Sequence, residues 1–123
     1  MKSRSIIMYG IPNCDTVKKA RTWLEEHGID FHFHNFKKDG LSADAIQTWL
    51  QSSDLGTLIN RKGTTWRALD DANKAKAEQT DSAIDLMMAQ PSVIKRPVMV
   101  ITQDGQTRVQ VGFSSDQYQA LFS

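Results

Sequence analysis

The chain is expected to fold as α/β, with a mixed four-stranded sheet made from a β-α-β half and a β-β-α half and a helical insertion between them. Three observations predict this. Apolar runs of strand length stand near both ends, at Ile6-Ile7-Met8-Tyr9 and at Pro97-Val98-Met99-Val100-Ile101. A stretch with helical spacing follows the first run after a short break. The middle of the chain carries only helix-like spacings.

The first run is ended by Gly10 and Pro12 and reads as a buried strand. From Cys14 to His27, the residues Val17, Ala20, Trp23 and Leu24 recur on one helical face, while Lys18, Lys19, Arg21, Glu25 and Glu26 fall off it. Gly28 stands where a helix C-cap belongs. Phe31, Phe33 and Phe36, interleaved with His32 and His34, predict the second strand, and Asp39-Gly40 a turn. Ser42 suits the N-cap of a helix holding Ile46, Trp49 and Leu50. The β-α-β order implies a parallel strand pair with the helix on one face. From about residue 52 to 90 the pattern predicts several short helices, with 73–81 an exposed helix or loop. Asp104-Gly105 then predicts a hairpin turn, 107–111 the last strand, and Ser114 or Ser115 the cap of a final helix with Tyr118, Leu121 and Phe122.

At 123 residues the chain suits one domain with a core of its own. A net charge of +1 gives no basic face for nucleic acid. The basic start with Lys2 and Arg4 leads into an apolar run too short for a signal segment, and nothing is long enough to span a membrane. The single cysteine rules out an internal disulfide and fits a reducing compartment, so a cytoplasmic location is expected. A monomer is expected as well.

Cys14 opens the first helix. A helix N-terminus presents unpaired N–H groups and about half a positive charge, which favours a thiolate, the nucleophilic form of sulfur. Lys18, one turn on, adds positive charge; Asp15 works against it. A lone cysteine also packs well as a small apolar side chain, so it is the position after a Pro12-Asn13 turn that argues for chemistry. Val17 makes the motif C-x-x-V, so a mixed disulfide at Cys14 has no internal thiol to resolve it, and glutathione is the expected co-substrate. Lys95-Arg96-Pro97 precedes a strand, and an X-Pro bond in such a turn is a candidate for the cis form. Arg96 there offers a forked cation. Asn60-Arg61-Lys62-Gly63, with Arg67 beyond, is a second cationic group. Cys14, Arg61 and Arg96 are the catalytic candidates; Asn13, Lys18, Arg61, Arg96 and Pro97 are the substrate-binding candidates. His27, His32 and His34 lack zinc-site spacing with Cys14, so no metal is expected. Met87-Met88 and the three tryptophans are expected in the core.

With these residues in view, the chain resembles the ArsC-related family, on the stretches MYGIPNCDTVKKARTWLEEHGI, FKKDGL, LINRKGTTWR, IKRPVMV and VGFSSDQYQALF. The family includes glutaredoxin-coupled arsenate reductases, Spx regulators and YffB-like proteins, and the similarity leans to the YffB-like branch. The resemblance implies a thioredoxin-like fold, Cys14 as nucleophile, Arg61 and Arg96 as anion-contacting arginines, and a cis Pro97. It implies a glutathione-dependent thiol reductase, with glutaredoxin a candidate partner. Dedicated arsenate reductases of this type carry a third arginine past the last strand, where this chain reads Val111-Gly112-Phe113-Ser114. The Spx branch implies the alternative of a module that binds RNA polymerase; its redox-sensing forms carry C-x-x-C, which Val17 removes here.

Overall fold

The computed structural model describes residues 4–122. Lys2, read above as part of a basic start, lies outside the described residues. The chain divides into two compact units: the residues up to Gly40 together with those from Arg96 onward, and Leu41–Lys95.

The first unit is the sheet. Its elements are β1 (Arg4–Gly10), α1 (Asp15–Glu26), β2 (His32–Asn35) and a single helical turn α2 (Phe36–Asp39). The chain then passes through the second unit, Leu41–Lys95. The sheet unit then resumes with β3 (Val98–Gln103), β4 (Gln106–Val111) and α8 (Ser115–Phe122). The strand order is β2-β1-β3-β4. β1 and β2 run parallel, as their helical crossover requires, and the other two pairs are antiparallel. Alternation along β1 and β3 turns Ile6, Met8, Met99 and Ile101 to one face. There they form a buried core with Val17, Ala20 and Leu24 of α1 and Tyr118 of α8. The hairpin turns at Asp104 and Gly105, with φ of 55° and 77°. Two consecutive left-handed residues fit the twist of the flanking strands, which is why an Asp-Gly pair sits there.

Three expected strand residues fall outside their strands: Phe31 just precedes β2, Pro97 just precedes β3, and Phe36 follows β2. Phe36 extends the alternation of aromatics, yet it opens α2. The Asn35 side chain ends the strand by accepting the N–H groups of Lys37 at 2.9 Å and Lys38 at 3.3 Å. That local cap outcompetes the continued pairing an aromatic run suggests. Asp39, expected in a turn, is the last residue of α2, and Gly40 takes the left-handed exit with φ 76°.

The second unit holds α3 (Ala43–Ser52), α4 (Leu55–Leu58), α5 (Thr64–Arg67), α6 (Asp71–Ala75) and α7 (Thr80–Ala89), with 3-10 turns at Lys76–Glu78 and Pro91–Val93. The helix expected after Ser42 is α3, and the several short helices expected from about 52 to 90 are α4 to α7. Side-chain caps start three of these helices: Ser42 accepts from Ala45 N–H at 3.2 Å, Asp54 from Thr57 N–H at 2.8 Å, and Asp70 from Asn73 N–H at 2.8 Å. Ile46, Trp49, Leu58, Leu86, Met87 and Ile94 are buried. Met88, expected in the core, is 40% exposed. It lies off the stripe of Ala83, Ile84 and Met87 that α7 buries. Of the tryptophans, Trp49 is buried, whereas Trp23 and Trp66 are only partly so. Among the described residues, no helix is long and apolar enough to cross a membrane.

Candidate active site

Cys14 is the N-cap of α1, with φ −99° and ψ 125°. Its carbonyl accepts the Lys18 N–H at 2.9 Å, the first bond of the helix. Its side chain makes no capping bond. The first-turn N–H groups have no carbonyl partner within the helix by geometry alone, so they and the helix dipole face the region of the sulfur. Asp15 places a carboxylate in the same turn. Cys14 is a free thiol, half-buried, and packs at the margin of the sheet core.

The close seating of this turn depends on Gly10. A Cβ there would meet Val17 Cγ2 at 2.9 Å and Phe33 Cε1 at 3.7 Å. Glycine lets the end of β1 press against the first turn of α1.

The register brings other candidates to the same end of the sheet. Tyr9, at the end of β1, pairs with Val98 at the start of β3, and Val98 pairs with Val111 at the end of β4. The Arg96-Pro97 peptide is cis, as the resemblance implies. Pro97 is buried, and its carbonyl accepts the Gly112 N–H at 2.8 Å. Cys14, Pro97 and the Gly112-Phe113 turn thus share one end of the sheet, with Phe113 and Cys14 both packed against the same core. Arg96 is half-buried; Asn13 and Lys18 are exposed beside the cysteine in sequence.

Arg61 belongs to the helical unit. It is exposed, its guanidinium carbon 5.3 Å from the centroid of the Trp66 ring. The turn that carries it is closed by Asn60, whose side chain accepts the Lys62 N–H at 3.2 Å and whose carbonyl accepts the Gly63 N–H at 3.1 Å. Arg61, Lys62 and Lys95 line an open depression of about 400 Å³. Lys95 reaches it because Ile59 and Ile94 form an isolated bridge, flanked by Lys95 N–H donating to the Leu58 carbonyl at 2.7 Å. Sequence reasoning missed Lys95 here, and it missed Gly10 and Phe113 at the Cys14 end of the sheet. No local spacing carries any of these three; each is placed by pairing across the fold. Arg67, at the end of α5, is exposed.

Two of the three histidines, His27 and His34, serve local structure. His34 Nε2 lies 2.7 Å from the Gly40 carbonyl oxygen, and the His27 ring stacks on Trp23 at 3.8 Å between centroids. Among the described residues, no three His, Cys, Asp or Glu side chains are grouped to hold a metal.

A mixed four-stranded sheet, a cysteine at the start of α1 and a cis proline leading into β3 define a thioredoxin-like protein with a helical insertion. The ArsC family model matches residues 9–121, and the chain belongs to that family. Among solved structures, it is similar to the YffB protein, at 43% identity and a TM-score of 0.84, over 97% of this chain and 100% of the other. It is also similar to an arsenate reductase (ArsC) related protein from Brucella melitensis, at 47% identity and a TM-score of 0.70, over 97% and 95%. A protein of unassigned function from Haemophilus influenzae is 39% identical over 96% of this chain and 99% of its own length. The global transcriptional regulator Spx of Lactiplantibacillus plantarum is 31% identical over 91% and 82%.

Proposed function

We propose that this protein is a redox enzyme, a glutathione-dependent thiol reductase of a reducing compartment, taken as the cytoplasm, and that Cys14 is its nucleophile. In the reaction, the Cys14 thiolate attacks the glutathione sulfur of a substrate mixed disulfide. The substrate leaves as its thiolate and takes up a proton, and glutathione stays bonded to Cys14. A second glutathione thiolate attacks that bond, releasing glutathione disulfide and regenerating the Cys14 thiolate. The net change is reduction of the substrate sulfur from mixed disulfide to thiol and oxidation of one free glutathione, which leaves joined to the glutathione taken from the substrate. Arg61 and Arg96 are the candidates to hold the carboxylates of glutathione, or an oxyanion substrate, through forked hydrogen bonds. Asn13, Lys18 and Pro97 border the thiol and shape the approach.

The observation that carries this reading is a lone free cysteine at the N-cap of α1 whose side chain makes no capping bond. The test is mass spectrometry after treatment with glutathione disulfide. Wild type should gain one glutathione, C14S none, and added glutathione should remove the adduct. If the folded protein gains glutathione no faster than its urea-unfolded form, the activated nucleophile is lost and the reading with it.

Arsenate is a poor fit as the natural substrate. Its one to two negative charges need compensation on leaving water, and the turn after β4 offers Gly112 and Phe113 where an additional arginine would help. A second reading, a protein-binding module for transcription, is favoured by the match to Spx along most of this chain. Recovery of RNA polymerase subunits equally by wild type and C14S, with no glutathione turnover by either, would favour it.

A further inference from the structure

The sheet has a second polar cluster, on the core-facing side but at the end away from Cys14. Pairing places Arg4 of β1 opposite Gln103 of β3, Gln103 opposite Gln106 of β4, and Ile101 opposite Arg108. Paired residues point to the same face, and Ile101 belongs to the buried core. The face that is apolar through Ile6, Met8, Met99 and Ile101 therefore changes at its last rungs to two arginines and two glutamines. Leu121 and Phe122, at the end of α8, cover this patch and leave a hollow of about 120 Å³ lined by Arg4, Gln103, Gln106, Arg108, Leu121 and Phe122.

We infer that this hollow binds a phosphate-sized oxyanion, through Arg4 and Arg108. The hollow has room for several waters or one tetrahedral oxyanion. Arg4 and Arg108 have one strand between them and are offset by two residues, roughly 12 Å between their backbones, a span two long side chains close over an ion between them. The Arg4 guanidinium lies over the Phe122 ring at 5.3 Å from its centroid. A guanidinium beside an aromatic ring still has N–H groups free for an acceptor, and its fork can grip an oxyanion with two parallel bonds. Among the described residues, neither arginine is paired with a carboxylate. Asp104 also lines the hollow, and it leaves the site one net positive charge. The two glutamine amides supply neutral donors on the adjoining rung. Arginines that merely covered the end of the core with their stems would pack against Leu121 and Phe122 without a hollow between them.

The test is a titration of the full-length protein with inorganic phosphate, followed by amide and arginine side-chain NMR, with sodium chloride matched for ionic strength. Saturable shifts confined to Arg4, Gln103, Gln106, Arg108 and Phe122 are expected, weakened about tenfold in R108Q by loss of one forked partner. In R4Q/R108Q saturation should vanish, while the melting midpoint and the alkylation rate of Cys14 stay as in wild type. Phenyl phosphate separates two sources of the same group. Tighter binding than phosphate marks the end group of a larger ligand stacking on Phe122; equal binding marks the free ion. The inference fails if chloride reproduces the shifts, or if R4Q/R108Q still saturates. Should the double variant not fold, unweakened phosphate binding by R108Q overturns the site.

Discussion

The starts of α1 and α3 make opposite choices. At α3, Ser42 turns its hydroxyl back to the Ala45 N–H at 3.2 Å and closes one of the open donors of the helix. At α1, Cys14 occupies the same N-cap position and bonds none of them. A thiol is a weak acceptor, so the α1 start gives up a stabilising contact of about 1 kcal/mol and keeps its donors directed at the sulfur. Both helices are nevertheless anchored by what they bury: Val17, Ala20 and Leu24 on α1, Ile46 and Trp49 on α3. The difference teaches that capping is dispensable where packing is strong, and that the freed position is available to chemistry. The start of α7 at Gln79 also lacks a side-chain cap, so a missing cap alone does not mark a site.

The comparison can be broken first at its anchors. Trp49→Ala should cost about 3–5 kcal/mol and Leu24→Ala about 2–5 kcal/mol, since both side chains are fully buried. Urea unfolding of each variant measures this. Costs below 1 kcal/mol would mean that packing does not replace the cap.

Next comes the approach of β1 to α1. Gly10→Ala should cost about 1–3 kcal/mol, because the new methyl meets the stiff β-branched Val17 at 2.9 Å. It should also slow alkylation of Cys14 by iodoacetamide as the turn shifts. An unchanged rate with full stability would separate the glycine from the site.

The caps themselves should differ in sign. Ser42→Ala should destabilise by about 1 kcal/mol, whereas Cys14→Ser should raise stability by several tenths to about 1 kcal/mol while abolishing glutathione adduct formation. Thermal melts and intact mass together check the pair; a destabilised C14S would show that the thiol is a packing residue.

The smallest effect is expected at Tyr118, where α8 meets α1. Its hydroxyl is buried with no hydrogen-bond partner among the described residues, and burial pushes its phenol well above the usual range. Tyr118→Phe keeps the ring contacts with Trp23 and Phe113 and removes an unsatisfied group, so it should be neutral or stabilising by up to about 1 kcal/mol. The unfolded phenol loses its proton near pH 10, the folded one only higher. Above about pH 10 the unfolded state therefore binds fewer protons, and stability falls as pH rises. Below that pH, the tyrosine gives no slope. The wild-type minus Tyr118→Phe difference should show this decline, measured by urea unfolding between about pH 8 and 11.

Much of this was written in local sequence. Alternation and helical spacing gave the strands and long helices, Asp104-Gly105 gave its hairpin, and Ser42 its cap, because each depends on residues a few positions apart. The last helix begins after Ser114, whose hydroxyl accepts the Gln117 N–H at 3.1 Å, a choice that two adjacent serines left open. Phe36 and Met88 depart from expectation for a related reason: apolar spacing does not register that the Asn35 cap opens a helix at Phe36, which stays buried, or that the orientation of α7 leaves Met88 exposed.

Sequence by itself determined the element order, the single thiol at a helix start, and the lack of any internal thiol to resolve it. These are covalent facts or follow from near neighbours. Tertiary structure alone decided that Gly10 must be bare, that Pro97 and Gly112 close on the Cys14 end of the sheet, that Lys95 joins the Arg61 depression, and that Arg4 and Arg108 share a hollow under Phe122. Each of these joins residues far apart in the chain through strand register or helix packing. A β3–β4 pairing shifted by one residue would turn Arg108 to the face away from Arg4.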